Sequence, residues 1–172
     1  TEKQKRKQAA AQAQRISKVK HDRKHILSQN SGFYLREAYR ALRTNVNFAL
    51  ADKEGSKVIM VTSSLQGEGK SLTALNLSIA LAQMDKKVLL VDCDLRRPRM
   101  ARLLNITAPA GLSNLIMDFT LLDMAVVNSE DHGIDLILSG DIPPNPAELL
   151  ASNRMQKLVE LMRGRYDYII LD

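Results

Sequence analysis

Residues 64–71 read S-L-Q-G-E-G-K-S, which matches the phosphate-loop pattern G-x-x-x-x-G-K-[ST] at every position except the first, where Ser64 replaces glycine. Such a loop curls backbone N–H groups around phosphate oxygens at the start of a helix, where the helix dipole adds attraction for anions. Gly67 and Gly69 permit the curl, Lys70 supplies a point charge for the β- and γ-phosphates, and the Ser71 hydroxyl offers one ligand to Mg²⁺. The candidate nucleotide-binding residues are therefore Ser64, Gly67, Glu68, Gly69, Lys70, Ser71 and Leu72. A G-x-G-K-S string also arises in ordinary glycine-rich turns, so its flanking elements must decide between the two readings.

Two acidic strand ends accompany the loop. The run V-L-L-V-D-C-D-L-R places Asp92 and Asp94 on either side of Cys93, so both carboxylates leave one face of an extended chain and can converge on one site. If that strand lies beside the strand of the phosphate loop, one carboxylate holds a metal or its waters and the other accepts a proton from an attacking hydroxyl. Cys93 reads as core. The terminal run I-I-L-D has the form of a strand whose aspartate, Asp172, reaches Mg²⁺ through water.

These residues need a frame, and the hydrophobic pattern supplies one. Leu35, Ala38, Leu42, Val46 and Ala49 recur at helical spacing, which predicts an amphipathic helix over residues 34–50. Residues 57–63 form a β-branched run leading into the phosphate loop, and residues 71–85 read as a helix that is apolar nearly all round. Further strands are predicted over residues 87–92, 134–138 and 166–171. Before the last of these, Asn145 as N-cap, Pro146 at the first helical position and Glu148 in a capping-box-like turn predict one helix running to Arg163. Strand and helix alternate, so the fold class is α/β: a mainly parallel sheet with helices on both faces and ligands at the carboxyl ends of its strands. The strand before the loop and the helix after it are the context the phosphate motif requires.

Composition bounds the rest. The chain has 172 residues, 45% of them hydrophobic, enough for one packed core. A single cysteine precludes an internal disulfide and fits a reducing cytoplasm, and no apolar run approaches the ~20 residues of a membrane-spanning helix. The net charge of +6 is concentrated at the start: residues 1–25 hold nine Lys or Arg against Glu2 and Asp22. This basic arm, taken as residues 1–30, has no aromatic side chain among its first 25 residues to stack on nucleic-acid bases. Its composition favours a solvated linker, with a juxtamembrane segment against anionic headgroups as the alternative. Residues 31–172 form the nucleotide-binding domain, and the start at Thr1 and the stop inside an apolar run read as the ends of a fragment.

With these motifs together, residues 30–172 resemble the bacterial protein-tyrosine kinases of capsule and exopolysaccharide synthesis, the CpsD/CapB type and Wzc-like kinase domains. That family tolerates Ser at the first loop position, and it carries a second acidic strand of the form (apolar)₃-D-x-D-x-R, matched by residues 89–96. Its E-x-x-R-x-x-R element is matched by Glu37, Arg40 and Arg43, and the stretch P-P-N-P-x-E-L-L at residues 143–150 is a further marker. The resemblance implies an ATP- and Mg²⁺-dependent kinase acting on protein tyrosines, its own included. It assigns phosphate and metal to Lys70 and Ser71, metal to Asp94 and Asp172, the base to Asp92, and orientation of the acidic pair to Arg96. It also implies a homo-oligomeric ring contacted through Glu37, Arg40 and Arg43. A transmembrane activator of the polysaccharide co-polymerase type is implied as well, with the kinase held at the inner face of the cell membrane and no nucleic acid as partner. Read from charge spacing alone, those three residues also suit local pairing on an exposed helix face.

Two other functions use the same parts. ATPase switches of the cell-division and plasmid-partition type share the fold but place a lysine directly after the first loop position, where this chain has Leu65. A nucleotide-responsive scaffold that sets polysaccharide chain length would use an identical site.

Overall fold

In the computed structural model the structure describes residues 4, 17 and 19–172; most of the basic stretch read as an arm lies outside the described residues. Among the described residues the strands are β1 (Lys57–Met60), β2 (Val88–Val91), β3 (Val126–Ser129), β4 (Ile134–Ile137) and β5 (Tyr168–Leu171), joined in the order β1-β5-β2-β4-β3. The four strands β1, β5, β2 and β4 run parallel. β3 joins β4 antiparallel through the turn ending at Gly133, an edge strand that the alternation pattern did not predict. Its four residues, V-V-N-S, are too short and too polar for a periodicity signal.

The pleat divides the core into two layers. Val88, Leu90, Leu136 and Ile170 face α2 (Lys70–Ala82), which buries Ala74, Leu75, Leu77 and Ile79 against them. Outside α2 lies α1 (Phe33–Ala49), whose Leu35, Tyr39, Leu42 and Val46 pack on this layer, as the helical spacing predicts. Leu89, Val91, Ile137 and Ile169 face the other way, onto α4 (Leu112–Met117), α5 (Leu122–Ala125) and α7 (Asn153–Arg163). α3 (Met100–Leu104) follows β2 and joins the α2 layer through Met100 and Leu103. Parallel strands buried on both faces need apolar residues at successive positions, and the all-buried V-L-L-V of β2 meets that need.

The fold departs from the sequence pattern, or goes beyond it, at three places. The helix predicted over residues 145–163 is two: α6 (Pro146–Leu150) and α7. Asn145 stands at the N-cap position of the first with Pro146 after it, as expected, but its side chain accepts no helix amide and its Nδ2 donates to Glu148 Oε2 at 2.9 Å; Ser152 starts the second by accepting from the Met155 N–H at 3.2 Å. Serine is a strong N-cap, and Ser152, whose hydroxyl also donates to Leu149 O at 2.7 Å, begins a new helix where the pattern suggested continuation. Second, β2 does not lie beside β1: β5 sits between them. Third, packing begins upstream of residue 31. Leu27 is buried in the core, and residues 23–27 contact both α2 and α3.

Candidate nucleotide-binding site

The loop between β1 and α2 carries two left-handed residues, Gly67 at φ +92° and Gly69 at φ +97°. An L side chain resists that backbone region, which is why the motif demands glycine there. A Cβ added at Gly69 would meet nothing within 4 Å, so the loop lies open. Thr73 N–H bonds Gly69 O at 2.9 Å and closes the first turn of α2, whose start has no side-chain cap. The leading amides of such a helix have no intrahelical partner, and together with the dipole they make an anion site.

Side chains of the loop bond its own backbone. Glu68 Oε2 accepts from the Leu65 N–H at 3.1 Å, and the Ser63 hydroxyl donates to Leu65 O at 3.1 Å. Ser64 is exposed at the loop's entrance, Ser71 is half-buried in the first turn, and the Leu72 side chain packs on the core, leaving its backbone to face a ligand.

The acids gather at the carboxyl ends of adjacent strands. β5 lies between β1 and β2, and at its end the Val61 N–H after β1 bonds Leu171 O at 2.9 Å, while on the β2 side the Asp172 N–H bonds Val91 O at 3.0 Å and its carbonyl accepts from the Cys93 N–H at 3.1 Å. Lys70 reaches across and pairs with Asp172 Oδ1, while the other carboxylate oxygen, Oδ2, is buried with no hydrogen-bond partner. Asp92 is 1% exposed and accepts from the amides of Asp94 (3.2 Å) and Met100 (3.4 Å). Burial, and after it the charge of Asp172, pushes its carboxyl up to about 7. Asp94 is half-buried and accepts from the Arg97 N–H at 3.0 Å. Burial pushes the Cys93 thiol up to about 12, so it is no nucleophile and fits the core reading.

Magnesium fits these residues. A buried carboxylate oxygen without a donor needs a cation or a water, and Asp172 Oδ2 is one, on the carboxylate that pairs with Lys70, the residue before Ser71 on the loop helix. Among the described residues no three acidic, His or Cys side chains cluster tightly enough to hold a metal unaided. Mg²⁺ commonly takes only one or two carboxylates, with its remaining ligands from hydroxyl, phosphate and water.

The structure separates the residues of the E-x-x-R-x-x-R element. Glu37 and Arg40 form an exposed ion pair at 3.3 Å, whereas the Arg43 guanidinium donates to Ala80 O on α2 at 2.9 Å. All three lie on α1, away from the loop's carboxylates. Arg96 is exposed; its neighbour Arg97 makes the contacts, through its N–H to Asp94 and through Nη1 to Gln66 Oε1 of the loop at 2.9 Å. The sequence holds two consecutive arginines and no signal to choose between them. Asn76 is fully buried in the apolar α2, and a polar side chain in such a helix must find partners, a signal already present in the sequence.

Residues 56–172 match the family model described as an AAA domain. The chain is 43% identical over 136 residues to the tyrosine-protein kinase YwqD of Bacillus subtilis, covering 79% of this chain and 57% of that protein. It superposes on the kinase domain of the Escherichia coli tyrosine kinase ETK with a TM-score of 0.76 and 36% identity, covering 80% of this chain and 54% of that one. The septum site-determining protein MinD from Pyrococcus horikoshii, solved with Mg-ADP, superposes with a TM-score of 0.57 and 26% identity over 68% of this chain and 48% of that one. The chain thus spans little more than half the length of its Bacillus relative. With a glycine-curled loop at an uncapped helix start and aspartates on the neighbouring strand ends, the chain belongs to the AAA-domain family and is similar to bacterial tyrosine-protein kinases.

Proposed function

We propose that this chain is the ATP-binding module of a bacterial tyrosine kinase that moves the γ-phosphoryl group of ATP to a protein tyrosine hydroxyl, in the control of capsule or exopolysaccharide synthesis. One observation carries the reading: the buried Asp92 carboxyl stands beside Asp172, which holds the loop lysine, so a proton acceptor adjoins the phosphate clamp.

Phosphoryl transfer needs alignment and charge neutralisation more than covalent help. The loop amides and the dipole of α2 bind the phosphates, and Lys70 exchanges Asp172 for phosphate oxygens as nucleotide enters. Ser71, Asp94 and Asp172 would hold Mg²⁺, which when bound neutralises charge on the phosphates. Asp92 takes the tyrosine proton, a task suited to a carboxyl raised toward neutral pH. The Arg97 guanidinium, held on Gln66, lies at the mouth of the loop and restrains it.

A ring of copies fits α1, where Glu37 and Arg40 remain at the surface, while Arg43 is engaged within its own subunit. No helix among the described residues is long and apolar enough to cross a membrane. The resemblance assigns membrane attachment to a transmembrane activator or to an upstream segment.

The test is incubation of the intact protein with labelled ATP, Mg²⁺ and the cytoplasmic segment of the membrane partner, followed by phosphotyrosine detection. Label on tyrosine is expected, and Lys70→Met should reduce it by about a hundredfold or more, as loss of a transition-state charge clamp does. Release of free phosphate without protein label would replace the kinase with a MinD-like switch. Nucleotide-dependent assembly with neither product would replace it with the scaffold.

A further inference from the structure

The segment ahead of α1 is bonded to the site's supporting elements more closely than a linker requires. Residues 19–23 have helical backbone, and at their end Arg23 donates through Nε to Leu103 O at 3.0 Å and through Nη2 to Arg102 O at 2.5 Å. These are the last carbonyls of α3, which have no partner within the helix and favour a cation. Two residues on, Asn76 of α2 clamps the strap from beneath. Its Oδ1 accepts from the Leu27 N–H and its Nδ2 donates to His25 O, each at 2.8 Å, and Leu27 itself is buried. A fully buried amide satisfied on both sides by one strand of backbone is a built attachment.

The opposite end of α3 is where Met100 N–H bonds Asp92 Oδ2, while Met100 is wholly buried in the α2 layer. α3 has only five residues, too few for its own hydrogen bonds to hold it rigid. Its carboxyl end is bonded by Arg23 beside the buried Leu103, and its amino end, together with the Asp94 amide, holds the Asp92 carboxylate.

We infer that Arg23 is a positioning residue: by bonding the end of α3 it fixes that helix, and through the Met100 amide it fixes the carboxylate of Asp92. The strap therefore joins the upstream basic stretch to the reacting end of the sheet. The consequence for turnover rests on the kinase reading; the consequence for α3 does not.

Backbone amide exchange on the intact protein without nucleotide, comparing the parent with Arg23→Ala and Arg23→Lys, tests the strap directly. Exchange across residues 100–104 should quicken about tenfold or more in Arg23→Ala, with α7 amides unchanged, and Arg23→Lys should recover most of the protection. Phosphotransfer then gives a separate readout. Arg23→Ala should lower kcat about tenfold with the Kd for Mg-ATP unchanged within twofold, because the nucleotide grip belongs to the loop and not to α3. Unaltered exchange at residues 100–104 in Arg23→Ala would overturn the inference, as would full kcat despite faster exchange. If the parent transfers no phosphoryl group, the kinase reading fails by itself, and the exchange result alone upholds or overturns the tie between Arg23 and α3.

Discussion

Asp92 concentrates the chemistry of the site in one carboxyl. It is buried, two amides favour its charge, and desolvation together with Asp172 opposes that charge more strongly, leaving it at about 7 rather than the usual 3.8. The sign of the stability consequence follows from linkage. The unfolded chain releases this proton near 3.8 and the folded one near 7, so the contribution is complete below the lower value and is lost as pH rises toward the upper one. In magnesium-free buffer Asp92→Asn should therefore gain stability relative to the parent between about pH 4 and pH 7, with a constant difference above. Urea denaturation at a series of pH values measures this, and a difference independent of pH would remove the case for a raised carboxyl. The residue types themselves were legible: glycines, a lysine and alternating aspartates at motif spacing. Legibility stopped at Arg96 and Arg97, where two identical side chains stand in sequence and only the turn after β2, in which the Arg97 backbone N–H bonds Asp94, decides which guanidinium reaches Gln66.

At the scale of elements, local chemistry explains most boundaries. α2 begins where Gly69 adopts the left-handed backbone, and α1 follows its apolar spacing. The division of residues 145–163 has an equally local cause, since Ser152 accepts from the Met155 amide and starts α7 afresh. Ser152→Ala should cost about 1 kcal/mol of stability, a common value for a lost N-cap, and should leave Mg-ATP affinity unchanged within twofold because α7 packs on the face away from α2. Urea melts and a nucleotide titration check both halves. β3 escaped notice because a short polar edge strand has no periodicity of its own and exists only by pairing with β4.

At the scale of the whole molecule, two apolar layers clamp one sheet and hold its carboxyl ends in register. Leu90 is fully buried at the centre of the layer beneath α2, between the strand that ends in Asp92 and the helix that starts at the loop. Leu90→Ala should cost about 2–5 kcal/mol, the range for deleting a large core side chain, read as a lowered urea midpoint with unchanged slope. Loss below about 1 kcal/mol would mean that this layer contributes little to the sheet's cohesion.

The sequence by itself determined the fold class, the phosphate loop, the acidic strand ends and the family, because each rests on short-range spacing: a glycine where the backbone turns left-handed, an aspartate where an apolar run stops. Only the tertiary structure decided that β5 lies between β1 and β2, so that Asp172 rather than Asp92 meets Lys70. It alone separated Arg43 from Glu37 and Arg40, and tied Arg23 and Leu27 to α3 and α2. These outcomes depend on which elements become neighbours, and neighbours distant in the chain are selected by the burial of whole faces, a property that no local spacing records.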